Sequence, residues 1–163
     1  AGAAAPGYPA GMDEPPAAPP SSRASPFRRA TTLDALNASS RGTAMEPLGI
    51  VFTAIGHDSL TATMPVDERT RQPYGLLHGG ASALLAETLG STAGMLCVDE
   101  GQGCVGIEIN ANHLRGVRSG TVTGTARPLH VGRSTQVWEI RIEDGGGRLV
   151  CVSRLTLAVV AMR

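Results

Sequence analysis

Apolar and polar positions alternate clearly through Gln136-Val137-Trp138-Glu139-Ile140-Arg141-Ile142-Glu143. Trp138, Ile140 and Ile142 fall on one face of an extended chain; Val137, Glu139, Arg141 and Glu143 fall on the other. That is the period of a half-buried strand. Similar patterns predict strands at 50–55 (IVFTAI), 60–66 (LTATMPV), 106–114, 121–130, 135–143 and 148–160. Gly56-His57-Asp58-Ser59 reads as a hairpin connection and Asp144-Gly145-Gly146-Gly147 as a tight turn. Residues 67–77 read as an irregular loop with Pro73 and Gly75, and 99–103 as a turn.

Two stretches carry a helical pattern instead. TTLDALNASS, 31–40, predicts a short helix with Thr31 or Thr32 as N-cap. From His78 or Gly79 to Leu96, small and apolar residues run nearly all round a helix, so most of its faces must be covered. The order is a short helix, two strands, one long apolar helix and four strands. Strands grouped on both sides of a helix indicate an α+β fold rather than alternating βαβ units. A curved antiparallel sheet wrapped around the long central helix would cover it. That domain is expected over 31–163. Residues 1–30, rich in Ala, Pro, Gly and Ser without an apolar period, are expected to form a disordered or extended tail. Within the tail, Met12 is a candidate natural start, with vector-derived residues before it.

Composition narrows the function classes. The chain has 163 residues, with 14 basic residues balanced by 14 acidic ones. A nucleic-acid binder carries a basic excess on one face, and base-stacking surfaces need aromatics. Here there is no such excess, and the aromatics are one Trp, two Tyr and two Phe. No nucleic-acid partner is expected. Cys97, Cys104 and Cys151 are odd in number and form no CxxC, so reduced cysteines in a cytoplasmic protein are expected. The run 79–98 is long enough to test as a membrane span, but it holds four glycines, several Ser and Thr, and Glu87; no membrane partner is expected. His57, His78, His113 and His130 show no metal-ligand spacing, so no metal is expected. There is no G-x-S-x-G elbow for a serine nucleophile.

One residue stands out chemically. Glu87 is the only Asp, Glu, Lys or Arg between Gln72 and Val98. A lone carboxylate two turns into an apolar helix is either a structural acid paired with a buried arginine or a catalytic group. Gly79 and Gly80 open the same helix, whose free N–H groups and dipole favour an oxyanion. Ser91 lies one turn beyond Glu87 on the same face.

The run QPYGLLHGGASALLAETLGS, 72–91, resembles the active-site segment of hotdog-fold acyl-CoA thioesterases. The similar subgroup is the PaaI-like one, with the Arthrobacter-type 4-hydroxybenzoyl-CoA thioesterases and the 1,4-dihydroxy-2-naphthoyl-CoA hydrolases. The resemblance continues through GIEINANHLR (106–115), RPLHVGRSTQVWEI (127–140) and GRLVCVSRLT (147–156). It implies a hotdog fold, at least a homodimer and commonly a homotetramer, with the active site at the dimer interface. It implies thioesters of CoA, or of an acyl carrier protein, as substrates, with no cofactor beyond the CoA of the substrate itself. Glu87 is then the nucleophile or the general base, and Gly79 polarises the carbonyl. Gln72, His78 and Ser91 position the reactants. CoA contacts are implied at Gly106, at His113, Leu114, Arg115 and Gly116, and at His130, Val131, Gly132, Arg133, Ser134 and Thr135. The expectation is an acyl-CoA thioesterase for aromatic or bulky acyl groups. The rivals are a proofreading thioesterase acting on carrier-protein thioesters and a non-catalytic acyl-CoA-binding module.

Overall fold

The structure, a computed structural model, describes residues 24–162. The expectations for residues 1–23, Met12 included, lie outside the described residues. The first helix, α1, spans Leu33–Ser39, and its N-cap is Thr32, whose side chain accepts from the Ala35 amide. A short helix that the pattern did not predict, α2, covers Met45–Leu48 and ends at Gly49, in the left-handed region at φ 66°. Four residues with a central proline are too few to show a period.

The strands are β1 (Val51–Ile55), β2 (Leu60–Pro65), β3 (Gln102–His113), β4 (Thr121–Val131), β5 (Thr135–Asp144) and β6 (Leu149–Ala161). They form one sheet in the order β1-β2-β4-β5-β6-β3, antiparallel throughout. The long helix, α3, spans Gly79–Leu96 and packs on five of the six strands. β3 begins four residues before the expected start. Gly103 and Gly106 weaken its strand pattern, and a bulge between Gly106 and Glu108 interrupts its register with β6.

Glycines set how closely α3 sits on the sheet. A Cβ on Gly90 would lie 2.5 Å from Leu155 Cδ2, and one on Gly94 would overlap Leu157 Cδ1. From the sheet side, a Cβ on Gly124 would come within 2.6 Å of Leu89 Cδ1. Leu85, Leu89, Trp138, Ile140, Ile142, Leu155 and Leu157 are fully buried between the two layers. The face of β5 read from its alternation is therefore the core face. Gln136 is buried with them. Its amide donates to the Gly94 carbonyl at 3.3 Å and accepts from Trp138 Nε1 at 3.0 Å, which satisfies a polar group in the core.

Residues 24–30, placed in the tail by composition, run along the C-terminal end of α3. The Arg28 and Arg29 amides both donate to Leu96 O. The Arg29 guanidinium donates to Val98 O at 2.9 Å, Asp99 O at 2.6 Å and Gln102 O at 2.8 Å. A cation on carbonyls at a helix C-terminus is favourable for both hydrogen bonding and the helix dipole. Phe27 packs against the core beside it.

Two stability predictions follow from these contacts. Arg29→Ala should lower the free energy of unfolding by about 2 kcal/mol, read by urea denaturation. At the β5–β6 turn, the Asp144 carboxylate accepts from the Gly146 amide, the Arg148 amide and Arg148 Nε. Chiefly the Arg148 side chain, and then these amides, hold its pKa below the ordinary carboxylate range. A carboxylate with a depressed folded pKa stabilises above its unfolded value and loses that contribution as pH falls toward the folded one. Asp144→Asn should therefore narrow the loss of melting temperature seen on acidification below about pH 4, with little change in that slope at neutral pH.

Candidate active site

The chain enters α3 through His78, an extended residue that caps the helix with its own side chain. Nδ1 accepts from the Gly80 amide at 2.8 Å, so Nε2 is the nitrogen that can donate. The Ala81 and Ser82 amides both turn to His78 O, at 3.0 and 3.2 Å. Three of the first four amides are thus occupied. Gly79 N–H is left open at the positive end of the helix dipole, the place where an oxyanion binds best.

Other residues converge on this point. Gln72 is held in a tight loop, where Gly75 N donates to Gln72 O and Gln72 N donates to Leu76 O. Its side-chain oxygen accepts from the Tyr74 amide at 2.5 Å, which leaves the side-chain NH2 free to donate. His113, the last residue of β3, lays its ring over Gly79. A Cβ there would sit 2.8 Å from His113 Nε2, so any larger residue would push the ring aside. Gln72, Gly79, Ser82, His113, Arg115 and Gly116 line one cleft of about 350 Å³.

Glu87 occupies a different place. It lies on the stripe of α3 that the sheet leaves half-covered, with Leu84, Thr88, Ser91 and Met95. Its Oε1 accepts from Ser91 Oγ at 3.0 Å. The carboxylate rests against Gly106, where a Cβ would approach Oε1 to 2.5 Å. Among the described residues no basic side chain pairs with it. The reading as a structural acid paired with a buried arginine therefore has no partner in the structure.

The residues matched to CoA contacts divide into two sets. His113, Leu114, Arg115 and Gly116 belong to the cleft. Gly106 lies with Glu87, and His130, Val131, Gly132, Arg133, Ser134 and Thr135 form the β4–β5 hairpin at that same end. Gly106 and Gln136 both pair with Leu157 of β6, whereas His113 pairs with Cys151. Six residues of strand separate the two ends by about 20 Å. Along α3, Gly79 and Glu87 are eight residues apart, a rise of about 12 Å. One copy of the chain does not bring all these residues to one acyl carbon.

Burial pushes the Cys97 thiol up to about 12 and raises Cys104 and Cys151 as well, so none of the three is a ready thiolate. Among the described residues no group of three or more His, Cys, Asp or Glu could hold a metal ion. No helix there is long and apolar enough to cross a membrane.

Comparison with known proteins decides the family. The thioesterase superfamily profile matches residues 74–151. The proofreading thioesterase EntH of Cronobacter sakazakii is 59% identical over 134 residues, which cover 82% of this chain and 98% of that protein. The chain belongs to the thioesterase superfamily. The 1,4-dihydroxy-2-naphthoyl-CoA hydrolase of Escherichia coli is 56% identical over 134 residues, covering 82% and 98% of the two chains. The crystal structure of a Haemophilus influenzae thioesterase is similar with a TM-score of 0.82 and 53% identity, covering 83% of this chain and 94% of that one. A mutant Pseudomonas aeruginosa thioesterase gives 0.83 and 55%, covering 85% and 100%. This member of the superfamily is accordingly a hotdog-fold thioester hydrolase.

Sequence reasoning passed over Ser82. It lies three residues after Gly79, on the same helix face, and that spacing was the available signal. The close approach of Gly106 to Glu87 yields a prediction. Gly106→Ala should displace the carboxylate and reduce kcat for thioester hydrolysis by roughly a hundredfold, with the melting temperature nearly unchanged.

Proposed function

We propose that this thioesterase hydrolyses acyl-CoA thioesters of aromatic or similarly bulky acids, such as 1,4-dihydroxy-2-naphthoyl-CoA, to the free acid and CoA in the cytoplasm. The site is shared by two copies of the chain. One copy supplies Gly79 N–H to the carbonyl oxygen, with Gln72 and His78 holding the thioester. The other supplies Glu87, oriented by the Ser91 hydroxyl, as nucleophile or as general base for water. Collapse of the tetrahedral intermediate expels the CoA thiolate and leaves either the free acid or, where Glu87 attacks, an anhydride that water then hydrolyses. No metal or cofactor enters this scheme.

The observation that carries this reading is the open amide of Gly79 together with an unpaired carboxylate about 12 Å further along the same helix. An oxyanion donor sits about 3 Å from the oxygen, and the attacking atom lies equally near the carbon. A second copy closes the gap. The edge strand β3 supports such an assembly, because it exposes Val105, Ile107 and Ile109 beside an unpaired backbone edge. Arg115 of one copy and the Arg133 hairpin of the other would then flank the CoA phosphates. A homodimer is the minimum, and a tetramer of two such dimers is compatible with it. The three free cysteines agree with a reducing compartment.

The likeness to EntH favours a second reading, in which the acyl group arrives on a carrier protein rather than on CoA. A panel of aryl and alkyl thioesters, each presented on CoA and on a carrier protein, measures the preference as kcat/KM. A preference for carrier-protein thioesters would replace the first reading. In either case Glu87→Gln should lose nearly all thiol release while still binding a CoA thioester.

Shared composition has its own test. Glu87→Gln and Gln72→Ala, each nearly inactive alone, should regain about a quarter of wild-type activity when co-assembled. A mixed dimer carries one intact site only if Gln72 and Glu87 act from different copies. Absence of recovery would mean that both act from the same copy.

A further inference from the structure

We propose that Ser82 is a second donor to the thioester carbonyl. Six polar residues are buried among those described: Ser40, Thr70, Ser82, Gln136, Asp144 and Ser153. Five of them spend their side chains on the protein. Ser40 donates to Leu36 O, Thr70 to Pro65 O, Gln136 to Gly94 O and Ser153 to Asn110 O, and Asp144 accepts from its own turn. Ser82 alone forms no side-chain hydrogen bond with a described residue, although only 1% of it is exposed. No sealed side-chain nitrogen or oxygen among the described residues lacks a partner. The small exposure left to Ser82 is therefore at its hydroxyl, and Ser82 lines the cleft that also contains Gly79, Gln72 and His113.

The direction of that hydroxyl follows from helix geometry. Side chains on a helix lean toward the N-terminus and cover the turn before their own Cα. Ser82 is three residues after Gly79, so its Oγ leans toward the open Gly79 amide. A hydroxyl that meets only the cleft has no protein acceptor to give up, so a ligand oxygen can accept from it directly. Two donors from adjacent turns, one backbone and one side chain, suit an oxygen that gains charge as the acyl carbon becomes tetrahedral. Ser82 keeps its proton throughout; it contributes a hydrogen bond that strengthens as the oxyanion forms.

This inference rests on the reading that the carbonyl lies at Gly79, and the experiment separates the two. Ser82→Ala, Ser82→Cys and Glu87→Gln are assayed together with benzoyl-CoA, following thiol release and thermal unfolding. Ser82→Ala should lower kcat by roughly tenfold or more with KM little changed, since the bond matters most in the transition state. Its melting temperature should stay level, because no hydrogen bond within the protein has been removed. A purely structural serine would give the opposite pair: lost stability with kcat kept. If Ser82→Ala fails to fold, Ser82→Cys keeps the volume with a weaker donor and should show the same fall in kcat. A kcat within twofold of wild type in the folded variant overturns the role of Ser82. Should that occur while Glu87→Gln is inactive, the proposed site stands and only Ser82 is removed from it. Should Glu87→Gln remain active, the proposed chemistry fails, and the Ser82 result is judged on its own kcat.

Discussion

The close contact between α3 and the concave face of the sheet is the constraint on which the rest of the structure depends. Gly90, Gly94 and Gly124 stand where any side chain would collide with Leu155, Leu157 or Leu89. The helix can therefore lie on the sheet with its Leu and Ala residues interlocked among those of β4, β5 and β6. Close packing of this kind tolerates little movement. It fixes both the axial position and the rotation of α3, and with them every group that α3 presents. Gln136 reinforces the position by donating to Gly94 O from inside the core, while Arg29 gathers the carbonyls just past the far end.

A helix held this firmly has two ends of unequal use. Its last carbonyl, Leu96 O, accepts from the Arg28 and Arg29 amides. Its N-terminal amides are taken up by His78, apart from that of Gly79. Burial of the helix supplies the stability, and one donor remains at the dipole's positive end. The cap explains why a histidine precedes two glycines: Nδ1 accepts from Gly80, and the missing Cβ of Gly79 admits the His113 ring. The HGG run is thus a local structural solution to the start of the helix.

Much of this was legible in the residues. The period of β5 gave its core face, and the apolar run 79–96 gave the helix together with its need for cover. The isolation of Glu87 marked it before any contact was known. Four things were not legible, each for a physical reason. α2 is too short to show a period. Gly103 and Gly106 hide the start of β3, because glycine contributes no side chain to an alternating pattern; at Gly106 it is needed to make room for the Glu87 carboxylate. Arg28 and Arg29 read as tail residues because their bonds are made to carbonyls about seventy positions away. Ser82 was missed because its spacing from Gly79 is a weak signal that many helix serines share, and its lack of a partner is not displayed by any pattern of residue types.

The placement of Glu87 follows from the same packing. The sheet buries Ala81, Leu85, Leu89, Ala93 and Leu96 and leaves a half-covered stripe through Leu84, Glu87, Ser91 and Met95. A carboxylate on the buried face would need a counter-ion, and the core offers none. On a fully exposed face it would be hydrated and less effective against an acyl carbon. The stripe is intermediate: it is bordered by the β3 bulge at Gly106, it supplies Ser91 to orient the acid, and it is open on the side where a substrate or a second copy can close over it. Gly79 faces the other cleft. The rigidity that positions each group so well also keeps the two about 12 Å apart in one copy. Because α3 cannot bend to bring them together, a reaction that uses both requires a second chain to complete the site.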